Sequence, residues 1–275
     1  MTDLLRRLLS HPQGALGVGF CVVIAAAVIL GPSLAPYDPE SFDYLARLAG
    51  PSAAHLLGTD QFGRDILSRL LWGARSTVLL GLTATLIGTA LGCALGVFSG
   101  FLGGRVDEAV MRVVDAMMAI PNLLFALMIV TVLGPSGVNA VIAIGIAFAP
   151  GMARIARSVT LAVRNQDYVA AAVARGESPL YIMSREVLPN MIAPVIVEAT
   201  IRVAFSIMLL ATLSFLGLGA QPPAPEWGLM IAEARGFMFR SAWTIVWPGL
   251  AIATVAIAFN LLGDGLRDVL NPKTH

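Results

Sequence analysis

Nucleotide hydrolysis, acyl transfer and metal catalysis each demand particular side chains at fixed spacings, and this chain supplies almost none of them. Its only lysine is Lys273, two residues from the end, with no Gly-rich loop before it. A loop that cradles nucleotide phosphates needs Gly-x4-Gly-Lys-Ser/Thr after a strand. The polypeptide is therefore not itself a P-loop ATPase, and any nucleotide that drives it sits on another subunit. His11, His55 and His275 are scattered and make no ligand spacing. Cys21 and Cys93 fall inside apolar runs, so neither a disulfide nor a thiolate metal site is expected. No catalytic residue, metal ligand or cofactor is expected in this chain.

The elements around these residues belong to a membrane. Of 275 residues, 57% are hydrophobic and only 13% charged, against about 25% charged in soluble domains. Such a chain cannot cover itself with polar surface, so the lipid bilayer is its solvent. A net charge of +1 gives no reason to expect nucleic acid. Crossing the hydrocarbon takes about 20 apolar residues, and six stretches qualify: 15–35, 77–101, 113–134, 138–159, 192–218 and 243–263. The first follows Arg6 and Arg7, but Ser33-Leu34-Ala35 is a poor cleavage site, so an uncleaved anchor is expected. With the N-terminus inside, the cytoplasmic side holds Arg6, Arg7, Arg105, Arg112, Arg154, Arg157, Arg164, Arg175, Arg185, Arg267 and Lys273. The outer side holds Arg47, Arg64, Arg69, Arg75, Arg235 and Arg240. That bias places both termini in the cytoplasm.

The chain thus divides into a cytoplasmic N-terminus (1–14), a first span (15–35), an outer segment (36–76) and a helical core (77–275). In the outer segment, Ile66, Leu67, Leu70, Leu71 and Ala74 share a helical face, with Asp65, Arg69 and Arg75 elsewhere. Two readings stand: a helix lying at the membrane surface, or a cap helix packed on the protein. Gly88, Gly92, Gly96 and Gly100 recur every four residues in the second span, a ridge that lets another backbone approach closely. Pro121, Pro150, Pro194 and Pro248 begin or interrupt later spans and can kink them.

Between the fourth and fifth spans, within a loop at 160–191, lies a polar but helix-forming stretch from Tyr168 to Pro189. Asn165 or Asp167 can cap a first helix through Ala170, Ala171, Ala172 and Ala174 to Arg175. Gly176 supplies a left-handed stop, and after Glu177 the pair Ser178-Pro179 reads as the cap and first residue of a second helix. Pro189 and Asn190 are expected to break that helix before the next span. The small side chains leave the first helix slim enough to lie in a groove of another protein. An ordinary amphipathic connector fits the residues equally well.

This stretch resembles the EAA loop of ABC importer permeases, with Ala171-Ala172, Gly176, Leu188 and Pro189 in register. Ala170 stands where that family usually has Glu, and Glu186 where an apolar residue or His is usual. The motifs His55-Leu-Leu-Gly-Thr-Asp60-Gln-Phe-Gly-Arg-Asp65-Ile-Leu-Ser-Arg69, Ser214-Phe-Leu-Gly-Leu-Gly219-Ala-Gln-Pro-Pro-Ala-Pro-Glu-Trp-Gly228 and Phe259-Asn-Leu-Leu-Gly-Asp-Gly-Leu-Arg-Asp268 also resemble that family, most of all its C-type dipeptide/oligopeptide permeases. The resemblance implies an all-α polytopic fold of the type I importer class, with five core helices and the first wrapped outside. It implies a B-type permease partner, two ATP-binding subunits carrying ATP and Mg2+, a periplasmic solute-binding protein, and a bacterial inner membrane. The ATPase-coupling residues would be Tyr168, Ala170, Ala171, Ala172, Arg175, Gly176, Glu177 and Ser178. Relatives carry peptides, nickel chelates, opines or glycosides, so the solute is left open, with peptide the expectation.

Glu198 and Arg202 stand four apart within the fifth span, acid first, the favourable order for a helical ion pair. Either charge would cost roughly 2.5–3.5 kcal/mol at the bilayer centre, so they should pair and face protein or water. They either line the route or brace the helix; a span starting near 192 keeps Glu198 shallow and favours bracing. Arg112 with Asp115, and Asp264 with Arg267, invite the same reading. A motor-free secondary transporter would need a midplane relay of Asp, Glu or His, for which there are few candidates. An intramembrane enzyme would need a Ser–His, His–Glu or paired-Asp constellation, and the predicted spans contain no His.

Overall fold

The computed structural model describes residues 2–270, with side chains from residue 6; Lys273 and His275 lie outside the described residues. Among the described residues the fold is all helical. A short α1 (Thr2–Ser10) leads into α2 (Pro12–Leu34), and an irregular segment leads to α3 (Ile66–Leu102). Then follow α4 (Gly104–Met118), α5 (Asn122–Leu133), α6 (Gly137–Arg164), α7 (Asp167–Ala174), α8 (Pro179–Ile182), α9 (Leu188–Phe215), α10 (Trp227–Ala234) and α11 (Trp243–Leu270). Five helices are long and apolar enough to cross a membrane, and the bent pair of α4 and α5 makes a sixth.

The centre of the bundle is the contact of α3 with α6. The glycine ridge explains it. A Cβ added at Gly88 would lie 2.9 Å from the Gly145 carbonyl oxygen, and one at Gly92 only 2.6 Å from that of Ala149. At Gly96 it would meet the Ala156 Cβ at 2.6 Å. Only hydrogen fits at these positions, so the two backbones touch. In lipid, where apolar burial gives no net drive between helices, such close packing supplies most of the affinity. Ala84, Ala140, Ala143, Ile144 and Phe148 fill the interior beside it with Leu210 and Leu213 of α9. Thr85 of α3 and Ser206 of α9 share a buried hydrogen bond of 2.8 Å. α2 lies on the outside against α11 and α3, with Val22, Val23, Ile29 and Leu34 exposed as a lipid-facing side chain requires.

Three expectations about boundaries are corrected. The outer-segment helix and the second span are one helix of 37 residues, about 55 Å at 1.5 Å per residue, well beyond the ~30 Å of hydrocarbon. Its first turns pack on protein: Ser68 and Arg69 have no exposed surface. The stretch 113–134 is not one straight helix; α4 and α5 meet at 92°, because Pro121 lacks the N–H that would continue α4 and stands as the N-cap of α5. Nor does Pro189 end the helix begun at Pro179. Residues Met183–Val187 widen into a π turn, with Leu188 N–H bonding the Met183 carbonyl. The wider turn makes room for the proline ring, and Pro179–Phe215 runs on without a break.

The motifs around Asp60 and Glu226 fold into a polar lock. Asp65 caps α3 by accepting from Ser68 N–H at 2.8 Å and contacts the His55 ring at 3.0 Å. Asp60 accepts from Arg64 Nε at 2.6 Å, and Arg64 Nη2 reaches Glu233 Oε2 at 2.6 Å. Arg64 also sits over the Phe62 ring, 4.7 Å from its centroid. Arg69 donates to the carbonyls of Pro39, Pro223 and Ala224. Glu226 caps α10, taking the N–H groups of Gly228 and Leu229 at 2.9 and 2.8 Å.

Candidate functional site: an exposed two-helix loop and an intramembrane ion pair

The loop between α6 and α9 is built in the way its residue types dictate, with one change at its start. The N-cap of α7 is Gln166, without a side-chain cap bond; neither Asn165 nor Asp167 fills that place, and Asp167 lies in the first turn, where its charge favours the helix N-terminus. At the other end Glu177 N–H bonds the Ala172 carbonyl (3.2 Å) and Gly176 N–H that of Val173 (2.9 Å). That pair of bonds is a Schellman stop. Gly176 adopts φ +78°, the left-handed region that a Cβ penalises. Ser178 then accepts from Tyr181 N–H at 3.3 Å, with Pro179 opening α8.

The loop has two sides. Val169, Ala172, Ile182, Val187 and Met191 are buried against Val97, Ala156 and Val163, which fixes the loop to the ends of α3 and α6. Arg164 helps by reaching the Gly100 carbonyl (3.5 Å) and lying over the Phe101 ring. The other side is exposed and apolar: Tyr168 (41%), Val173 (57%), Leu180 (73%) and Tyr181 (44%). Ala170, Ala171, Arg175, Gly176 and Ser178 share that exposure. Of the residues named from sequence, Ala172 alone points inward, with no exposed surface, so its small size serves packing against α6. Glu177 is half-buried and 3.8 Å from Arg175 Nε, a loose pair of little energetic weight. Val173, Leu180 and Tyr181 were not singled out. Their signal is that they are the apolar residues left over once the inward positions are assigned.

Deeper in the bundle, Arg202 Nη2 and Glu198 Oε1 are 2.8 Å apart on α9. The other pairings read from sequence are corrected. Arg112 bonds Glu108 (2.5 Å), while Asp115 bonds Arg154 of α6 (2.6 Å); the four-residue helical spacing from Glu108 and the proximity of α6 outcompete the Arg112–Asp115 pair. No ion pair joins Asp264 to Arg267 among the described residues; three apart at a helix end, the two are free to point to different neighbours. Instead, Arg157 clasps Asp107 through two bonds of 2.6 and 2.5 Å, joining α6 to α4.

Two cavities flank the Glu198–Arg202 pair. Glu198 lines one between α6, α9 and α11, with Ile155, Pro194, Val197 and Arg267. Arg202 lines another of about 310 Å³ at the bend between α4 and α5, with Met118, Ile120, Pro121, Asn122, Ala147 and Gly151. Among the described residues no group of three or more His, Cys, Asp or Glu side chains could hold a metal ion. The arrangement can present a surface to a partner and place a charge beside a cavity.

The chain also has relatives among known proteins. The family described as "Binding-protein-dependent transport system inner membrane component" matches residues 92–275, and "N-terminal TM domain of oligopeptide transport permease C" matches residues 1–51. The chain is 44% identical to the Dipeptide transport system permease protein DppC of Haemophilus influenzae over 95% of this chain and 91% of that one. It is 45% identical to the Di/tripeptide transport system permease protein DppC of Pseudomonas aeruginosa, over 96% and 89% respectively. Among solved structures it resembles a chain of the inward-facing MetNI methionine ABC transporter at a TM-score of 0.59 and 18% identity, over 73% of this chain and 96% of that one, a likeness of fold.

Proposed function

This chain belongs to the family of binding-protein-dependent transport system inner membrane components, and on that premise we propose that it carries di- and oligopeptides across a bacterial inner membrane for an ATP-driven importer. It is a permease subunit of an ABC transporter, and its sequence is similar along almost its whole length to proteins named for dipeptide and di/tripeptide transport. The proposed partners are a B-type permease, two ATP-binding subunits that hold ATP and Mg2+, and a periplasmic binding protein that delivers the solute. Both termini and the α7–α8 loop face the cytoplasm, and the polar lock around Arg64 faces outward.

The observation that carries this reading is the exposed apolar face of α7 and α8 on a firmly anchored loop. A protein surface that leaves Tyr168, Val173, Leu180 and Tyr181 outside is suited to a partner, and the buried side of the same loop ties it to α3, α6 and α9. A push on α7 therefore reaches the bundle without slack. ATP binding closes the ATPase pair and moves this loop, which tilts the helices between inward-open and outward-open states. Swinging such an equilibrium from 1:99 to 99:1 takes roughly 5.5 kcal/mol of differential binding, and no titratable relay among the described residues offers it. Purification of the tagged chain from its own membranes tests the assignment. The ATPases should come down with it, and variants with Tyr181 or Leu180 changed to Asp should lose them. Solute accumulation by the chain reconstituted alone would show a motor-free carrier instead.

A further inference from the structure

Arg202 is the fifteenth residue of the 28-residue α9, roughly 20 Å from either end at 1.5 Å per residue. An arginine so deep in a span is costly unless it has a task. Its closest approach to Glu198 is through Nη2; among the described residues Nε has no acceptor. The guanidinium rests on α6, 5.6 Å over the Phe148 ring. Gly151, one turn on, leaves the room: a Cβ there would be 2.8 Å from Nη2. Among the described residues Arg202 is the single charged one lining the cavity at the α4–α5 bend, and Glu198 lines the neighbouring cavity instead. The bend also brings Asn122 to the same wall, with no hydrogen-bonded side-chain partner among the described residues.

We propose that this cavity is a solute subsite in which Arg202 engages a free carboxylate of the passing solute, the C-terminal carboxylate where the solute is a peptide. The inference rests on the reading of the chain as a peptide importer subunit. A guanidinium is the side chain best shaped to take a carboxylate by two parallel bonds, and a cavity of about 310 Å³ admits the end of a small peptide but not a long one whole. Glu198 has the complementary part. It keeps Arg202 neutralised while the cavity is empty and lets it exchange one carboxylate for another, so that binding stays weak enough for release.

The test uses the whole transporter in proteoliposomes with its binding protein, following dialanine uptake per ATP hydrolysed. R202Q should lower that ratio tenfold or more, and R202K should recover part of it. The decisive variant is the exchange E198R/R202E, which keeps an ion pair on α9 but moves the positive charge one turn away from the cavity. A carboxylate subsite predicts that the exchange is as defective as R202Q. Uptake at the wild-type ratio by the exchange, or by the doubly neutral E198Q/R202Q, would overturn the proposal and leave a brace for the helix. Failure of the wild-type assembly to take up any peptide would instead remove the peptide assignment beneath it.

Discussion

Arg64 Nη2 lies 2.6 Å from Glu233 Oε2 across a sequence separation of 169 residues, and both groups are withdrawn from solvent. One ion pair thus fastens the segment before α3 to the segment after α9. Asp60 takes the other side of the guanidinium, and Arg69 Nη2 stands 3.5 Å from the same Glu233 oxygen. Two arginines share two carboxylates, so the cluster is balanced only when all four are present.

Glu233→Ala should therefore destabilise this cluster by about 3–5 kcal/mol, the range for leaving a buried charge without its partner. The measurement is thermal unfolding of the purified chain in detergent, with Arg64→Ala as the reciprocal variant. The double variant should be less harmful than the sum of the singles, since it leaves no orphaned charge. Additive losses would mean that the two side chains do not depend on each other.

Sequence patterns revealed the helices but not this lock, and the reason is physical. The spans are written in hydropathy, the glycine ridge in a period of four, and the Gly176 stop in one residue type. Each is a local signal. Glu233 has no local signal: its neighbours Ala232 and Ala234 look like any short helix, and only the folded chain brings Arg64 to it. The acceptors of Arg69 have no local signal either, because the Pro223 and Ala224 carbonyls lie more than 150 residues away in the chain. The bend at Pro121 was signalled by the proline, but its angle of 92° was not, because the apolar run continues on both sides. Ala172 was read with its exposed neighbours because alanine carries no preference for either side of a helix.

The α3–α6 interface should show a graded response to the smallest added side chain. Gly96→Ala places a methyl 2.6 Å from the Ala156 Cβ, a distance no native contact tolerates, so the helices must part. At Gly100 the same methyl meets Thr160 Cβ and Cγ2 at 3.1 and 3.2 Å, which a small shift relieves. Gly96→Ala should cost on the order of 1–3 kcal/mol by overpacking, and Gly100→Ala clearly less. Unfolding of the two variants side by side checks the order; equal losses would contradict direct backbone contact at Gly96.

Glu226 gives a pH dependence whose sign follows from its surroundings. Burial pushes its carboxyl above the ordinary 4.5, against the opposing pull of the Gly228 N–H, the Ser214 hydroxyl, the Leu229 N–H and the Thr77 hydroxyl. The folded chain thus holds this proton more tightly than the unfolded one. The stability this proton confers is fully present below pH 4.5 and is lost as the pH rises through the raised folded value. Glu226→Gln keeps an acceptor for the α10 cap and removes the titration. Melting temperatures of the two proteins should diverge steadily as pH rises above 4.5, with the wild type falling relative to the variant. Parallel profiles would mean that the carboxyl titrates alike folded and unfolded.

Gly176 separates a conformational demand from a spatial one. A Cβ there would touch nothing within 4 Å, yet φ is +78°. Size alone should thus be harmless, whereas any residue averse to the left-handed region should strain the turn by roughly 1–2 kcal/mol. Gly176→Val should loosen the Schellman stop and swing Glu177 and Ser178 away from the start of α8, misaligning the exposed faces of α7 and α8. Gly176→Asn, which visits that conformation readily, should keep them aligned despite its greater bulk than alanine. On the proposed function, the valine variant loses peptide uptake and coupled ATP hydrolysis while inserting normally in the membrane, and the asparagine variant retains most of both. Uptake assays on inverted and right-side-out vesicles, with insertion scored by protease protection, measure the difference. Normal uptake by the valine variant would detach this loop from the transport cycle, because the backbone that aims it would then be dispensable.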